Sequence, residues 1–311
     1  MELLFDFVVF ASALVVLVYA ARGFMHGATR LGNWLQLPPL VTGIFIVGMG
    51  TSLPELVTAV LSVQRGVSEL VAANVVGANI ANLLLITGLV AALVGSTIYL
   101  GSGYLYIDLH FMIGSIVFLS VLAYDGAITF LESFIGMVIF AVYTLYIVRG
   151  EANRAEEVPE EKAFPSGALG LLVLACIGIY FSAEFAISAL QEVALGLGVP
   201  ATLVAVTMLS LGTTLPELAV NIQALRQGRA ELAIGNVLGS CIFNSAMIIP
   251  IATMFGPLHI TDDIVGFSLP LMAASGLLFY LLTQDKKVSA WEGMLFLCLY
   301  ALFLIKSVTF R

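Results

Sequence analysis

Charge is what this chain has least of. Its 311 residues include 12 Lys and Arg and 20 Asp and Glu, together 10% of the sequence, against 60% hydrophobic residues. A soluble domain carries about 25% charged residues, so a water-facing surface of this size could not be covered and a soluble fold is excluded. Basic tracts are missing, which removes the electrostatic footprint of a nucleic-acid binder, and no Gly-rich phosphate loop is present. Histidine is limited to His26, His110 and His259, and cysteine to Cys176, Cys241 and Cys298. The cysteines lie singly inside apolar runs, which reads as small core residues rather than a disulfide framework or a metal site. Seven of the 20 acids sit in two short clusters, Glu151 to Glu161 and Asp262 with Asp263, so the net charge of −8 says little about partners.

What is abundant is long apolar stretches. A helix needs about 20 apolar residues to cross a bilayer, and about ten such runs occur, near 4–21, 37–64, 69–96, 105–122, 128–148, 168–190, 199–225, 231–255, 264–283 and 290–308. The expected fold is an all-α polytopic membrane protein. The acidic start, Glu2 and Asp6, is unlike a cleavable signal, so the first run is expected to be a retained span. Lys and Arg favour the cytoplasmic side of a membrane. With the N-terminus outside, Arg22, Arg30, Arg149, Arg154, Lys162, Arg226, Arg229, Lys286 and Lys287 fall inside, leaving Arg65, Lys306 and Arg311 outside. Both termini are then outside, and the polar connection 149–165 is cytoplasmic.

Residues 50–86 repeat, without a gap, at 212–248. Fifteen of these 37 positions are identical. They include Gly-Thr-x-Leu-Pro-Glu at 50–55 and 212–217, Asn74 with Asn236, Gly77 with Gly239, and Asn82 with Asn244. Chance likeness between apolar segments would match Leu and Val, not Pro-Glu and several Gly and Asn positions. Five spans per half, an odd number, invert the second half relative to the first. The expected domains are a five-helix repeat 1–148 with its motif at 42–88, the linker 149–165, and a second repeat 166–311 with its motif at 204–250. Inverted repeats in transporters place the site near the midplane, at broken helices, here spans two, three, seven and eight.

Glu55 and Glu217 sit in mid-span, where an ionised carboxylate costs about 2.5–3.5 kcal/mol on insertion scales. Other acids have ordinary explanations. Glu132, Glu292, Glu69 and Glu231 open helices, where the N-terminal dipole favours an acid, and Asp108 and Glu184 lie nearer span ends. Pro54 and Pro216 lack an N–H, so the carbonyls of Gly50 and Gly212 lose their helical partners and can line a polar cavity. Thr51 and Thr213 add hydroxyls one turn before each Glu, and Asn82 and Asn244 offer amide oxygens. The set contains only oxygen donors, with no convergence of His or Cys, which suits a hard cation such as Ca²⁺. Two carboxylates balance one Ca²⁺ or two Na⁺.

The paired motif, with Gly-x-x-Ile-x-Asn following each copy, resembles the α-repeats of the sodium/calcium exchanger family, of prokaryotic type. The resemblance implies an antiporter that extrudes Ca²⁺ against inward Na⁺, a membrane transporter rather than an enzyme. It implies no cofactor, and inorganic cations and the lipid bilayer as partners with no obligate protein partner; the lack of a targeting sequence and of a large loop points to a prokaryotic plasma membrane as the expected location. It further implies that Glu55 and Glu217 are the shared carboxylates, that Thr51 and Thr213 contribute to the Ca²⁺ position, and that backbone carbonyls at Gly48 and Ser210 serve flanking Na⁺ positions. Ser240 would bind Na⁺, with Ser52 and Thr214 nearby, and Asn82 and Asn244 would line the middle. Two departures stand out. Ala78 replaces the Ser often found in the family, and both middle residues are Asn where some relatives have one Asp. Both change the ligand count on which the Na⁺ stoichiometry depends. The 149–165 loop is too short for the regulatory domain of animal exchangers. A proton-coupled, K⁺-dependent or other divalent-cation exchanger of the same fold is the alternative reading.

Overall fold

The computed structural model describes residues 2–94, 97–99, 108–151, 164–197 and 201–309, with side chains described throughout these except at 2, 94, 148–151, 194, 201–213 and 308–309. It is a helical membrane protein. Lipid offers no partner for backbone N–H and C=O groups, so a spanning chain must satisfy them within helices or a closed barrel. Among the described residues, eight helical segments are long and apolar enough to cross a membrane. The other two expected passes fall on the shorter apolar helix α7 (Asp108–Leu122) and on α10 (Ala201–Arg226).

The first helix, α1 (Glu2–Trp34), is longer than the apolar run that announces it, and continues through Arg22 and Arg30. At 1.5 Å per residue it extends about 50 Å. It packs lengthwise against α9 (Ser166–Gly196), of 31 residues. Large side chains of this pair face outward, among them Phe5, Tyr19, Leu174 and Phe185, as a lipid-facing surface requires.

The second pass is built in pieces: α2 (Pro39–Thr42), a π-helical turn Gly43–Gly48, α3 (Met49–Thr51) and α4 (Leu53–Gln64). Ser52, with φ −86° and ψ 4°, leaves helical geometry between the last two. The third pass runs α5 (Glu69–Ile80), a π-turn Ala81–Ile86 and α6 (Thr87–Val94). The eighth mirrors it, with α11 (Ala230–Phe243), a π-turn Asn244–Ile248 and α12 (Ile249–Thr253). The seventh differs from the other three: α10 runs as one helix with Pro216 inside it. A π-turn accommodates an extra residue and is frequent at functional sites.

Backbone-to-backbone contact locks the second pass to α11. A methyl placed on Gly239 would lie 2.2 Å from the carbonyl oxygen of Ile44, and one on Gly48 would lie 2.9 Å from the amide nitrogen of Ser240. Within lipid, where apolar side chains gain nothing by leaving solvent, such small-residue crossings let helices approach closely. Gly235 and Gly239 are one turn apart on α11 and form this face.

The remaining helices enclose this centre. They are α7, α8 (Phe130–Glu151), α13 (Leu269–Leu282), preceded by a π-turn Ile264–Ser268, and α14 (Ala290–Thr309). Short antiparallel ribbons join the two halves: β1 (Ile98–Tyr99) pairs with β4 (Lys287–Val288), and β2 (Ala127–Ile128) with β3 (Leu258–His259). A shift of 160 residues carries β1 onto β3 and β2 onto β4, so each ribbon contains one strand from each half. Likewise α8 packs on α12, while α14 packs on α6. Two of the acids that open helices, Glu132 and Glu292, behave as ordinary caps. The amide of Thr129 donates to Glu132 (2.9 Å) and that of Ser289 to Glu292 (2.6 Å). Asp108 is buried and accepts a hydrogen bond from the Tyr143 hydroxyl at 2.9 Å.

Candidate cation site

Glu55 begins α4 just past the Ser52 break, and Glu217 follows Pro216 in α10. Each is only 1% exposed, and the helices that carry them, α4 and α10, both pack against α5. Among the described residues neither has a hydrogen-bond partner on either oxygen. No Lys or Arg balances them by an ion pair among the described residues. Two like charges held together out of water cost several kcal/mol each unless something positive joins them.

The atoms around them are also short of partners. Both amide atoms of Asn82 and the Asn244 Oδ1 are buried and without a partner among the described residues, as is the Ser52 hydroxyl. Asn82 and Asn244 each occupy a π-turn, and Gly48 closes another. The Gly48 carbonyl accepts the Ser52 amide at 3.2 Å and the hydroxyls of Thr51 and Ser240, both at 3.3 Å. The Thr51 hydroxyl also points at Asn236 Oδ1, 3.1 Å away. Its proton is therefore turned toward protein acceptors and its lone pairs away from them. Asn236 in turn donates to Asn221 Oδ1 at 3.0 Å. Thr214 is buried beside Glu217 in the chain. Thr213, Ser210 and Gly212 lie outside the described side chains, so their placement adds nothing here. Gly50 and Pro54 border an apolar cavity of about 250 Å³ between α1, α4 and α9, with Phe24 and Thr51 also in its wall.

Glu55, Glu217, Thr51, Ser52, Ser240, Asn82 and Asn244 are thus all buried, on passes that pack against one another at the centre. Among the described residues no group of three or more His, Cys, Asp or Glu converges, and the carboxylates, hydroxyls and amides named above offer oxygen donors. Three residues that bear on the site escape the sequence reading. Asn79, Asn221 and Ser245 answer to Cys241, Ala59 and Leu83 at the repeat offset. A search for matched pairs passes over them because they do not match.

The sequence model of the sodium/calcium exchanger protein family matches residues 5–149 and 167–309. The chain belongs to the sodium/calcium exchanger family. The sodium/calcium exchanger MaX1 of Methanosarcina acetivorans is 28% identical to it, over 96% of this chain and 97% of that one. An uncharacterized membrane protein of Methanocaldococcus jannaschii is 27% identical over 94% of both chains. Mouse sodium/potassium/calcium exchanger 3 is 30% identical over 40% of this chain and 19% of its own length. Among solved structures, the sodium-calcium exchanger NCX_Mj soaked with zero Na⁺ and Ca²⁺ superposes with a TM-score of 0.82 and 25% identity, covering 99% of this chain and 100% of that one. The same exchanger soaked with Na⁺ and Sr²⁺ gives a TM-score of 0.82 at 26% identity, over 96% and 97% of the two chains. Membership of the exchanger family makes this protein a membrane ion transporter.

Proposed function

We propose that this exchanger carries Ca²⁺ out of the cell in return for Na⁺, by alternating access at one central site. The observation that carries the reading is the pair of buried carboxylates, Glu55 and Glu217, with no partner among the described residues. A cation is what they lack, and the surrounding donors are hard oxygens of the kind Ca²⁺ prefers. In this reading Thr51 and Thr213 join the two carboxylates around Ca²⁺. The carbonyls of Gly48 and Ser210, with Ser240, Ser52 and Thr214, serve flanking Na⁺ positions, and Asn82 and Asn244 line the middle.

Either one Ca²⁺ or Na⁺ ions neutralise the pair, which lowers the cost of passing an apolar barrier. The empty site, with two bare charges, is trapped on one side. That difference by itself makes exchange obligatory. Helices α1 and α9 form a long, apolar, mutually packed pair alongside the core, and they move across it while α7, α8, α13 and α14 brace it. The cavity beside Gly50 and Pro54 leaves room for such a movement. The chain comprises two inverted repeats, 1–148 and 166–311, joined by a cytoplasmic linker, 149–165, with both termini outside the plasma membrane.

Ca²⁺ uptake into sealed proteoliposomes tests the proposal, comparing vesicles loaded with Na⁺, with K⁺ and with acid. Uptake that requires internal Na⁺ is the expected result. Uptake driven by the proton gradient alone overturns the Na⁺ assignment while keeping the fold, and a requirement for K⁺ together with Na⁺ places the protein with the K⁺-dependent exchangers.

A further inference from the structure

Asn79 lies on α5, outside the residues that the repeat singles out, and is fully buried. Its amide nitrogen donates to the Ser245 hydroxyl at 2.8 Å and faces the Met272 sulfur at 3.7 Å. Its Oδ1 accepts from the Asn244 Nδ2 at 3.1 Å. The thioether settles which way this amide points: sulfur has no proton to give, so the NH₂ end must face Met272 and Ser245. The oxygen end is then left for Asn244. Asn244 can meet an oxygen only with its own NH₂, so its Oδ1 is turned away from Asn79, buried and without a partner among the described residues.

We propose that Asn79 is a positioning residue that orients the Asn244 amide so that its oxygen, not its nitrogen, faces the transported cation. The inference rests on the reading of the central site given above. A cation is repelled by an NH₂ group, so an amide ligand that rotates freely spends part of its time as a poor one. The two halves differ here. The position answering to Asn79 in the second repeat is Cys241, and neither amide atom of Asn82 has a partner among the described residues. Asn244 is therefore the fixed oxygen of the pair and Asn82 the adaptable one. Met272 belongs to α13 and Ser245 to the same π-turn as Asn244, so the arrangement also holds the π-turn against α5 and a surrounding helix.

The test is a kinetic split with a specific rescue. Asn79→Leu removes the acceptor, leaving the Asn244 amide free to rotate. The KM for Ca²⁺ in Na⁺-loaded vesicles is expected to rise about tenfold, the cost of one unsatisfied or misdirected buried polar group, with kcat within about twofold. Asn244→Asp, whose two side-chain polar atoms are both oxygens, should restore the KM in the Asn79→Leu background, since no orientation remains to be set. With Asn79 intact, the same Asn244→Asp change sets two oxygens against each other and should raise the KM. An effect of Asn79 on packing alone would not reverse sign in this way. If Asn79→Leu fails to accumulate, Asn79→Cys installs the residue that the other half holds at this position and carries the same expectation. An unchanged KM in the single variant, or a double variant no better than Asn79→Leu, overturns the proposal. Glu55→Gln runs alongside, read by ⁴⁵Ca²⁺ binding to the purified protein. Binding retained there sinks the reading of the site itself, whereas binding lost there with KM unmoved by Asn79→Leu sinks the positioning role alone.

Discussion

Glu55 and Glu217 are expensive residues to keep. Each is closed to water, and among the described residues neither is matched by a protein cation or a hydrogen-bond donor. Replacing either by Gln preserves shape and removes one of the two charges. Loss of one buried charge partner costs about 3–5 kcal/mol, so Ca²⁺ uptake by Glu55→Gln or Glu217→Gln should fall at least about a hundredfold in the vesicle assay. Ala78 permits a gain instead. It is buried at the position that answers to Ser240, whose hydroxyl reaches the Gly48 carbonyl. Ala78→Ser adds the missing hydroxyl oxygen, and the apparent KM for Na⁺ is expected to fall about fivefold, the worth of one hydrogen-bond-sized interaction. Measuring Ca²⁺ uptake against internal Na⁺ concentration checks this, and an unchanged KM would mean that position 78 does not face a Na⁺ position.

At the scale of the helices, the site depends on two devices. The π-turns put Asn82, Asn244 and Gly48 where helix geometry is loosened. The glycine face of α11 lets that helix lie against the π-turn 43–48 with nothing between the backbones. Gly239→Ala would drive a methyl into the Ile44 carbonyl, 2.2 Å away. Overpacking of this kind costs typically 1–3 kcal/mol and occasionally more, so the purified variant should melt at a clearly lower temperature and lose Na⁺-driven uptake. Gly167→Ala, where a methyl meets nothing within 4 Å, should leave both unchanged. The outer helices rely on a simpler feature. Ser289 and Glu292 form a reciprocal cap, with the Glu292 amide donating back to the Ser289 hydroxyl at 3.4 Å. Glu292→Gln keeps such a cap, while Glu292→Ala should cost about 1 kcal/mol, visible in the same melting experiment.

For the whole molecule, direction in the membrane and obligatory exchange are the properties to test. The proposed orientation, drawn from the Lys and Arg bias, has the 149–165 loop in the cytoplasm and the turn at Arg65 outside. In a Cys298→Ser background, a cysteine at position 160 should react with a membrane-impermeant maleimide only in inside-out vesicles, and one at position 66 only in right-side-out vesicles. The reverse pattern would invert the proposed orientation. The intertwined packing has a consequence as well. Each ribbon takes a strand from both halves, and α8 and α14 each pack on a helix of the other half, so the halves should melt in a single transition rather than separately.

Much of this protein is legible without coordinates, for physical reasons that act on local sequence. A bilayer allows a spanning chain few options, so apolar run length marks the helices. A carboxylate in mid-membrane needs a reason, and its recurrence with Pro, Gly and Asn at a fixed offset singles out Glu55 and Glu217. Spacing from each Glu and the repeat itself extend that reading to Thr51, Asn82 and Asn244, and the family resemblance adds Ser240. Tertiary structure decided what local sequence does not encode. The α1 helix runs on through Arg22 and Arg30, because long basic side chains can reach toward polar surroundings from a continuing helix. The seventh pass stays one helix around Pro216, whereas the second breaks at Ser52. Asn79 becomes a partner of Asn244 only when α5, the second-half π-turn and α13 meet, across 165 and 193 positions of sequence. The orientation of an amide is set by the atoms that surround it in space, and those come from helices that the linear chain keeps far apart.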